Sequence, residues 1–157
     1  MTTNMRIADI KFNDTANGEG VRVSLWLQGC SRHCKGCFNE STWDYNGGRD
    51  FTQEDADKIM DELKKPEIAG LSVLGGEPID QWRELAHFLI DVKCEFPDRD
   101  VWLWTGYKYE DIKDLPIMDW VDILVDGEFI EEQKDMRLEF RGSRNQRIIR
   151  INHEVEE

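Results

Sequence analysis

Apolar and polar residues alternate strictly from Val21 to Leu27, as Val-Arg-Val-Ser-Leu-Trp-Leu, the pattern of a half-buried strand. Thr52-Gln53-Glu54-Asp55 then offers a hydroxyl cap followed by acids, after which Ala56, Ile59, Met60 and Leu63 recur at helical spacing. This predicts a helix of about three turns, stopped by Pro66. Leu71-Ser72-Val73-Leu74 predicts a short buried strand closed by Gly75-Gly76-Glu77-Pro78. Leu85, Phe88, Leu89, Val92 and Phe96 share one face of a second helix predicted from near Asp80 to Glu95. Val101-Trp102-Leu103-Trp104 and Val121-Asp122-Ile123-Leu124-Val125 predict two further strands, ended by Thr105-Gly106 and Asp126-Gly127, with a short helix around Tyr109–Lys113 between them. Weaker patterns predict a leading strand around Ile7–Phe12 and a short helix over Asn39–Trp43 that ends in a turn at Asn46-Gly47-Gly48. A last edge strand is predicted over Arg147–Ile151, and a frayed acidic tail over His153–Glu157.

Strands alternating with helices predict an α/β fold with a mostly parallel sheet. The βα units are too few to close an eight-stranded barrel. Four loops stand out because each follows the C-terminal end of a predicted strand: the cysteine loop after Val21–Leu27, Gly75-Gly76-Glu77, Thr105-Gly106 and Asp126-Gly127. In barrels and open sheets of this class that edge carries the ligand. The chain of 157 residues reads as one domain, residues 1–157.

Composition narrows the function classes. A formal net charge of −13 repels phosphates and argues against nucleic acid as a partner. No apolar run is long enough for a membrane span. The residues Met1-Thr2-Thr3-Asn4-Met5-Arg6 lack a secretion signal's apolar stretch, so a cytoplasmic protein with reduced thiols is expected. Against the acidic background Arg137, Arg141, Arg144, Arg147 and Arg150 crowd the C-terminal region. They are either solvated or ion-paired, or a docking surface for an acidic patch on a partner or a clamp on an anionic group.

The chemistry sits in Cys30-Ser31-Arg32-His33-Cys34-Lys35-Gly36-Cys37, spaced C-x3-C-x2-C. Thiols this close, in a chain without secretory features, read as metal ligands. A structural zinc or an electron-transfer [4Fe–4S] cluster takes four protein ligands. Three cysteines on a cubane leave one iron open to a reacting ligand. The alternative is a zinc site completed by His33, cramped because His33 adjoins Cys34. Cys94, on the second predicted helix, reads as a buried or half-buried inert thiol.

The C-x3-C-x2-C spacing after a first strand resembles the radical S-adenosylmethionine (radical SAM) enzymes. Asn17-Gly18-Glu19-Gly20-Val21-Arg22, Gly29-Cys30 and Cys37-Phe38-Asn39-Glu40-Ser41-Thr42-Trp43 narrow the resemblance to the activating proteins of anaerobic (class III) ribonucleoside-triphosphate reductases. Gly75-Gly76-Glu77-Pro78, Trp102-Leu103-Trp104-Thr105-Gly106-Tyr107, Val125-Asp126-Gly127 and Arg141-Gly142-Ser143 extend it, so that it runs from about Asn17 to Arg147. Glu19 departs from the family's usual proline, and Gln28 stands where a small hydroxyl residue is common.

The resemblance implies a partial open (β/α) barrel of the radical SAM type. It implies a [4Fe–4S] cluster on Cys30, Cys34 and Cys37, with S-adenosylmethionine chelating the fourth iron. Gly75, Gly76 and Glu77 would meet the methionyl amino group through main-chain carbonyls, Glu77 shaping the turn or lying near the ammonium; alone, this segment would be an ordinary tight turn. The backbone of Gly36, Cys37 and Phe38, with the Phe38 ring, would lie against the adenine, unless Phe38 is a core aromatic. Thr105, with Gly106-Tyr107, and Asp126 are candidates for the SAM pocket or the substrate opening, whereas Trp102 and Trp104 are expected in the core. The implied activity is reductive cleavage of S-adenosylmethionine to a 5′-deoxyadenosyl radical, which makes a glycyl radical on the large reductase subunit. A flavodoxin- or ferredoxin-type protein would donate the electron.

Overall fold

The computed structural model describes residues 5–30, 43–44 and 46–151. Its strands are β1 (Arg6–Asp14), β2 (Val21–Leu27), β3 (Arg49–Asp50), β4 (Ile68–Gly75), β5 (Asp100–Trp104), β6 (Ile123–Asp126) and β7 (Arg147–Arg150). The helices are α1 (Gln53–Leu63), α2 (Trp82–Glu95) and α3 (Tyr109–Ile112), with 3-10 turns at Pro78–Gln81, Pro116–Trp120 and Glu131–Gln133. One open sheet forms in the order β3-β1-β2-β4-β5-β6-β7. The predicted helix over Asn39–Trp43 falls mostly outside the described residues, as does the tail.

The four central strands β2, β4, β5 and β6 pair in parallel, as the βα alternation predicts. The edges do not. β1 is antiparallel to β2 and β3, and β7 is antiparallel to β6. The β1–β2 connection is too short for a crossover, so the chain can only turn back. β1 is also longer than the predicted Ile7–Phe12 segment. Register shifts at Ile7/Asp9 and Lys11/Asp14, with Asn13 at φ 59°, break the alternation by which a strand is recognised.

The helices begin and end where their residues dictate. Thr52 caps α1 through a capping box: the Asp55 amide donates to Thr52 Oγ1 at 3.2 Å, and the Thr52 amide donates to Asp55 Oδ2 at 2.9 Å. The Arg49 guanidinium beside Asp55 holds its carboxyl down at about 2. In α2, Leu85, Phe88, Leu89 and Val92 are buried as predicted. Cys94 is exposed, neither buried nor half-buried. Two residues past Val92 is about 200° around the helix, which turns Cys94 away from the buried stripe.

The two faces of the sheet are unlike. Val23, Leu25, Leu27, Leu71, Val73, Val101, Leu103 and Leu124 join Ile59 and Leu63 of α1, Leu85, Leu89 and Val92 of α2, and Ile112 of α3 in the main core. Alternation sends Arg22, Ser24, Trp26, Ser72, Leu74, Trp102 and Trp104 to the opposite face. There a second cluster of Trp102, Ile123 and Val125 packs with Trp104 and Phe140.

At the end of that face near the strand starts, Arg22 is wholly buried. It donates to Ser72 Oγ at 2.7 Å, and to the carbonyls of Glu19, Leu71 and Asp100 at 3.0 Å each. It also pairs with Asp100 Oδ1 at 2.7 Å and lies 5.6 Å from the Trp102 ring centroid. Arg22→Ala would strand these acceptors in the interior, an expected cost of roughly 3–5 kcal/mol in urea unfolding. Arg22→Lys should recover only part of it, because an ammonium cannot span the same oxygens.

Candidate functional site

The register of the central strands brings the strand-end loops together. Leu27 at the end of β2 lies opposite Gly75 at the end of β4. Beyond them the Gly76 amide donates to Leu27 O at 3.0 Å, and the Glu77 amide donates to Gly29 O at 2.8 Å. Gly75 sits at φ 121°, and a Cβ there would lie 2.5 Å from the Leu27 nitrogen. Only glycine permits this approach. Cys30 is therefore held directly beside the Gly75-Gly76-Glu77 turn.

A cavity of about 470 Å³ opens there on the face opposite α1 and α2. Cys30, Gly75, Gly76, Glu77, Thr105 and Gly106 line it, as do Trp26, Trp43, Leu74 and Trp104. Its far wall is Gly127, Phe129, Phe140, Arg141 and Gln146, and Asn17 closes one side. Cys30 is buried, and its amide donates to Trp43 O at 3.1 Å. A buried thiol at a cavity wall, on a strand end tied to a second strand, suits a cluster ligand. Gly36, Phe38, Cys34 and Cys37 lie outside the described residues.

Glu77 organises the turn. Its carboxylate accepts from Thr105 Oγ1 and the Gly106 amide, both at 2.7 Å, and from the Ile79 amide at 3.0 Å. One buried side chain thus joins the end of β4 to the end of β5. Burial pushes its carboxyl up to about 7, and the donors from Thr105, Gly106 and Ile79 oppose that rise.

Asp126 is buried at the end of β6 and does not line the cavity itself. It accepts from the Tyr109 amide at 2.8 Å and pairs with Arg147 at 2.5 Å, so it anchors the neighbouring Gly127. Trp102 is buried as expected, whereas Trp104 is half-buried and packs against the Trp102 cluster. It stands at the opening end of β5, lines the cavity and donates from Nε1 to Phe140 O at 2.7 Å. Trp26, Phe129 and Phe140 were not among the expected site residues. The alternation of β2 does put Trp26 on the face of Arg22 and Ser24, whereas Phe129 and Phe140 lie in a segment without period. Among the C-terminal arginines, Arg137 pairs with Asp135 and Arg147 with Asp126 and Glu110, and Arg141 lines the cavity.

A family profile described as a 4Fe-4S single cluster domain matches residues 16–149. The anaerobic ribonucleoside-triphosphate reductase-activating protein of Vibrio cholerae is 45% identical over 144 residues, which cover 88% of this chain and 93% of that protein. The protein of the same name from phage T4 is 41% identical over 137 residues, 86% of this chain and 87% of its own. That from Escherichia coli K12 is 37% identical over 139 residues, 85% and 90%. The chain belongs to this family of activating proteins. The profile's span takes in every residue described above as lining the cavity, and its description supports an iron–sulfur cofactor for this chain.

The raised carboxyl of Glu77 gives the fold a pH dependence. The folded chain binds a proton that the unfolded chain, with an ordinary value of 4.5, has released. The contribution is full below 4.5 and is lost as pH climbs through about 7. A shift of this size is worth roughly 3 kcal/mol. Thermal unfolding between about pH 5 and pH 8 should show the wild type losing stability with rising pH, and Glu77→Gln should flatten that slope. Equal slopes would mean that Glu77 stays ionised in the fold.

Proposed function

We propose that this chain activates an anaerobic ribonucleoside-triphosphate reductase by cleaving S-adenosylmethionine reductively at a [4Fe–4S] cluster and generating a glycyl radical on the large reductase subunit. The observation that carries the reading is the juxtaposition of Cys30 with the Gly75-Gly76-Glu77 turn at one cavity, in a chain of the activating family. Cys30, Cys34 and Cys37 are the proposed cluster ligands. The cluster, when bound and reduced, supplies one electron to the sulfonium, releasing methionine and a 5′-deoxyadenosyl radical that takes hydrogen from a glycine Cα.

The chain's own groups bind and orient. Gly75 and Gly76 offer bare backbone to the methionyl ammonium, an approach that side chains at these positions would block. Glu77 and Thr105 hold that backbone in place and set the position of the Gly106 amide. The proposed adenine contacts are Gly36, Cys37 and Phe38. Asp126, locked by Arg147 and Tyr109, acts on the pocket by fixing Gly127. Trp26, Trp104, Phe129 and Phe140 exclude water from the reacting end of the cavity.

An open sheet with helices on one face and the cavity on the other supports a partial (β/α) barrel of the radical SAM type. Such a barrel leaves its mouth free to admit a loop of the reductase. Among the described residues no helix is long and apolar enough to cross a membrane. A cytoplasmic site of action, with a flavodoxin- or ferredoxin-type electron donor, completes the proposal.

Anaerobic reconstitution with iron and sulfide, followed by reduction with dithionite, tests it. The loaded protein should release methionine and 5′-deoxyadenosine from S-adenosylmethionine. Cys30→Ser should lose iron and drop cleavage to background, whereas Cys94→Ser, on the exposed face of α2, should keep both. Bound zinc without iron, or a loaded cluster that releases no methionine, would overturn the reading.

A further inference from the structure

Gln28 follows the last residue of β2 and is 3% exposed. Its side-chain Nε2 donates to Asp44 O at 2.7 Å. Two residues on, the Cys30 amide donates to Trp43 O at 3.1 Å. The chain thus leaves the sheet at Cys30 and returns at Trp43-Asp44 with both ends joined. Residues 31–42, which include Cys34 and Cys37, lie between these two ends in the sequence.

The junction is braced from behind. Gln81 Nε2 donates to Gln28 O at 3.0 Å and to Arg6 O at 3.1 Å, while its Oε1 accepts from the Arg6 amide at 2.8 Å. The Arg6 guanidinium reaches Gly47 O at 2.6 Å, just past the returning segment. Gly47 leaves the room that the glutamine needs, since a Cβ there would lie 2.5 Å from Gln28 Nε2. A shorter polar side chain at position 28 could not span to Asp44. Reach at one position and bareness at the other form a matched pair.

We propose that Gln28 is a positioning residue for the cluster proposed on Cys30, Cys34 and Cys37: its amide ties the strand end that carries Cys30 to the returning backbone at Asp44. The inference rests on the assignment of those cysteines as ligands made above. Gln28 acts through the backbone of Asp44. Closing a loop in advance removes an entropic cost that cluster binding would otherwise bear.

The test reads cluster retention. In the reconstituted protein, chelator-driven iron release from Gln28→Ser should be about five- to tenfold faster than from wild type, the size expected for one buried hydrogen bond. Gly47→Ala should speed release similarly by displacing the amide. The double variant should be no faster than either single one, because both remove the same bond. Val92→Ala, buried in α2, controls for general loss of stability and should not speed release comparably. In the apo protein, hydrogen exchange at the Cys30 amide should lose protection in Gln28→Ser. Unchanged iron release in Gln28→Ser, effects that multiply in the double variant, or equal acceleration in Val92→Ala would overturn the proposal. A wild type that binds no iron would instead overturn the ligand assignment. The Cys30 amide then still decides the clamp, loss of protection supporting it and unchanged protection refuting it.

Discussion

Strands β2 and β4 run parallel and in register from Val23 opposite Leu71 to Leu27 opposite Gly75, and the site depends on this shared ending. Because the two strands stop at the same level, the cysteine segment and the glycine turn leave the sheet side by side. The bonds from Gly76 and Glu77 back to Leu27 and Gly29 continue the pairing into the loops. A register slip of one residue would turn the buried apolar face of β2 outward and carry Cys30 away from Glu77. Hydrophobic burial on the helical side therefore sets the geometry of the chemistry on the other.

The same alternation explains why a cavity exists at all. Helices cover one face of the sheet, and their residues consume every second side chain of the central strands. The remaining face mixes Leu74, Ile123 and Val125 with polar and aromatic groups and does not pack as a purely aliphatic core. At the end near the strand starts they are satisfied by the Arg22 network with Ser72 and Asp100, and by Asp14, which accepts from Ser24 Oγ at 2.5 Å and from Asn17 at 2.7 Å. At the opening end the groups meet the segment from Gly127 to Gln146 and leave space. One end of the face is closed by hydrogen bonds, and the other is walled by Trp26, Trp104, Phe129 and Phe140.

Much of this was legible in the chain, for reasons that can be named. The alternation of Val21–Leu27 and the stripe Leu85, Phe88, Leu89 and Val92 are periodic signals, and both elements formed where expected. The cluster spacing is a local pattern and needs no tertiary information. Gly75-Gly76-Glu77 and Thr105 were expected near the site, and they line the cavity. Less legible were elements whose form depends on distant partners. β1 is long but bulged, β3 is only the pair Arg49–Asp50, and the antiparallel edges follow from connection length. Trp104 was expected in the core because tryptophans usually are, and nothing local shows that β5 opens at that end. The segment carrying Phe129, Phe140 and Arg141 has no period, so its place in the cavity wall is a tertiary fact. Asp126 was a candidate for the SAM pocket or the substrate opening, and what its carboxylate meets, Arg147 at 21 residues' distance, is a tertiary fact that no local pattern shows.

The central claim is that the cavity beside Cys30 generates a radical on a glycine of a reductase. The most direct measurement is an electron paramagnetic resonance spectrum of the cluster-loaded, reduced protein mixed anaerobically with S-adenosylmethionine and its candidate anaerobic reductase. The account predicts a glycyl-type doublet that disappears when the target glycine of the reductase is replaced by alanine. Methionine release without any doublet would contradict the assigned target, and the same doublet from the alanine variant would place the radical elsewhere.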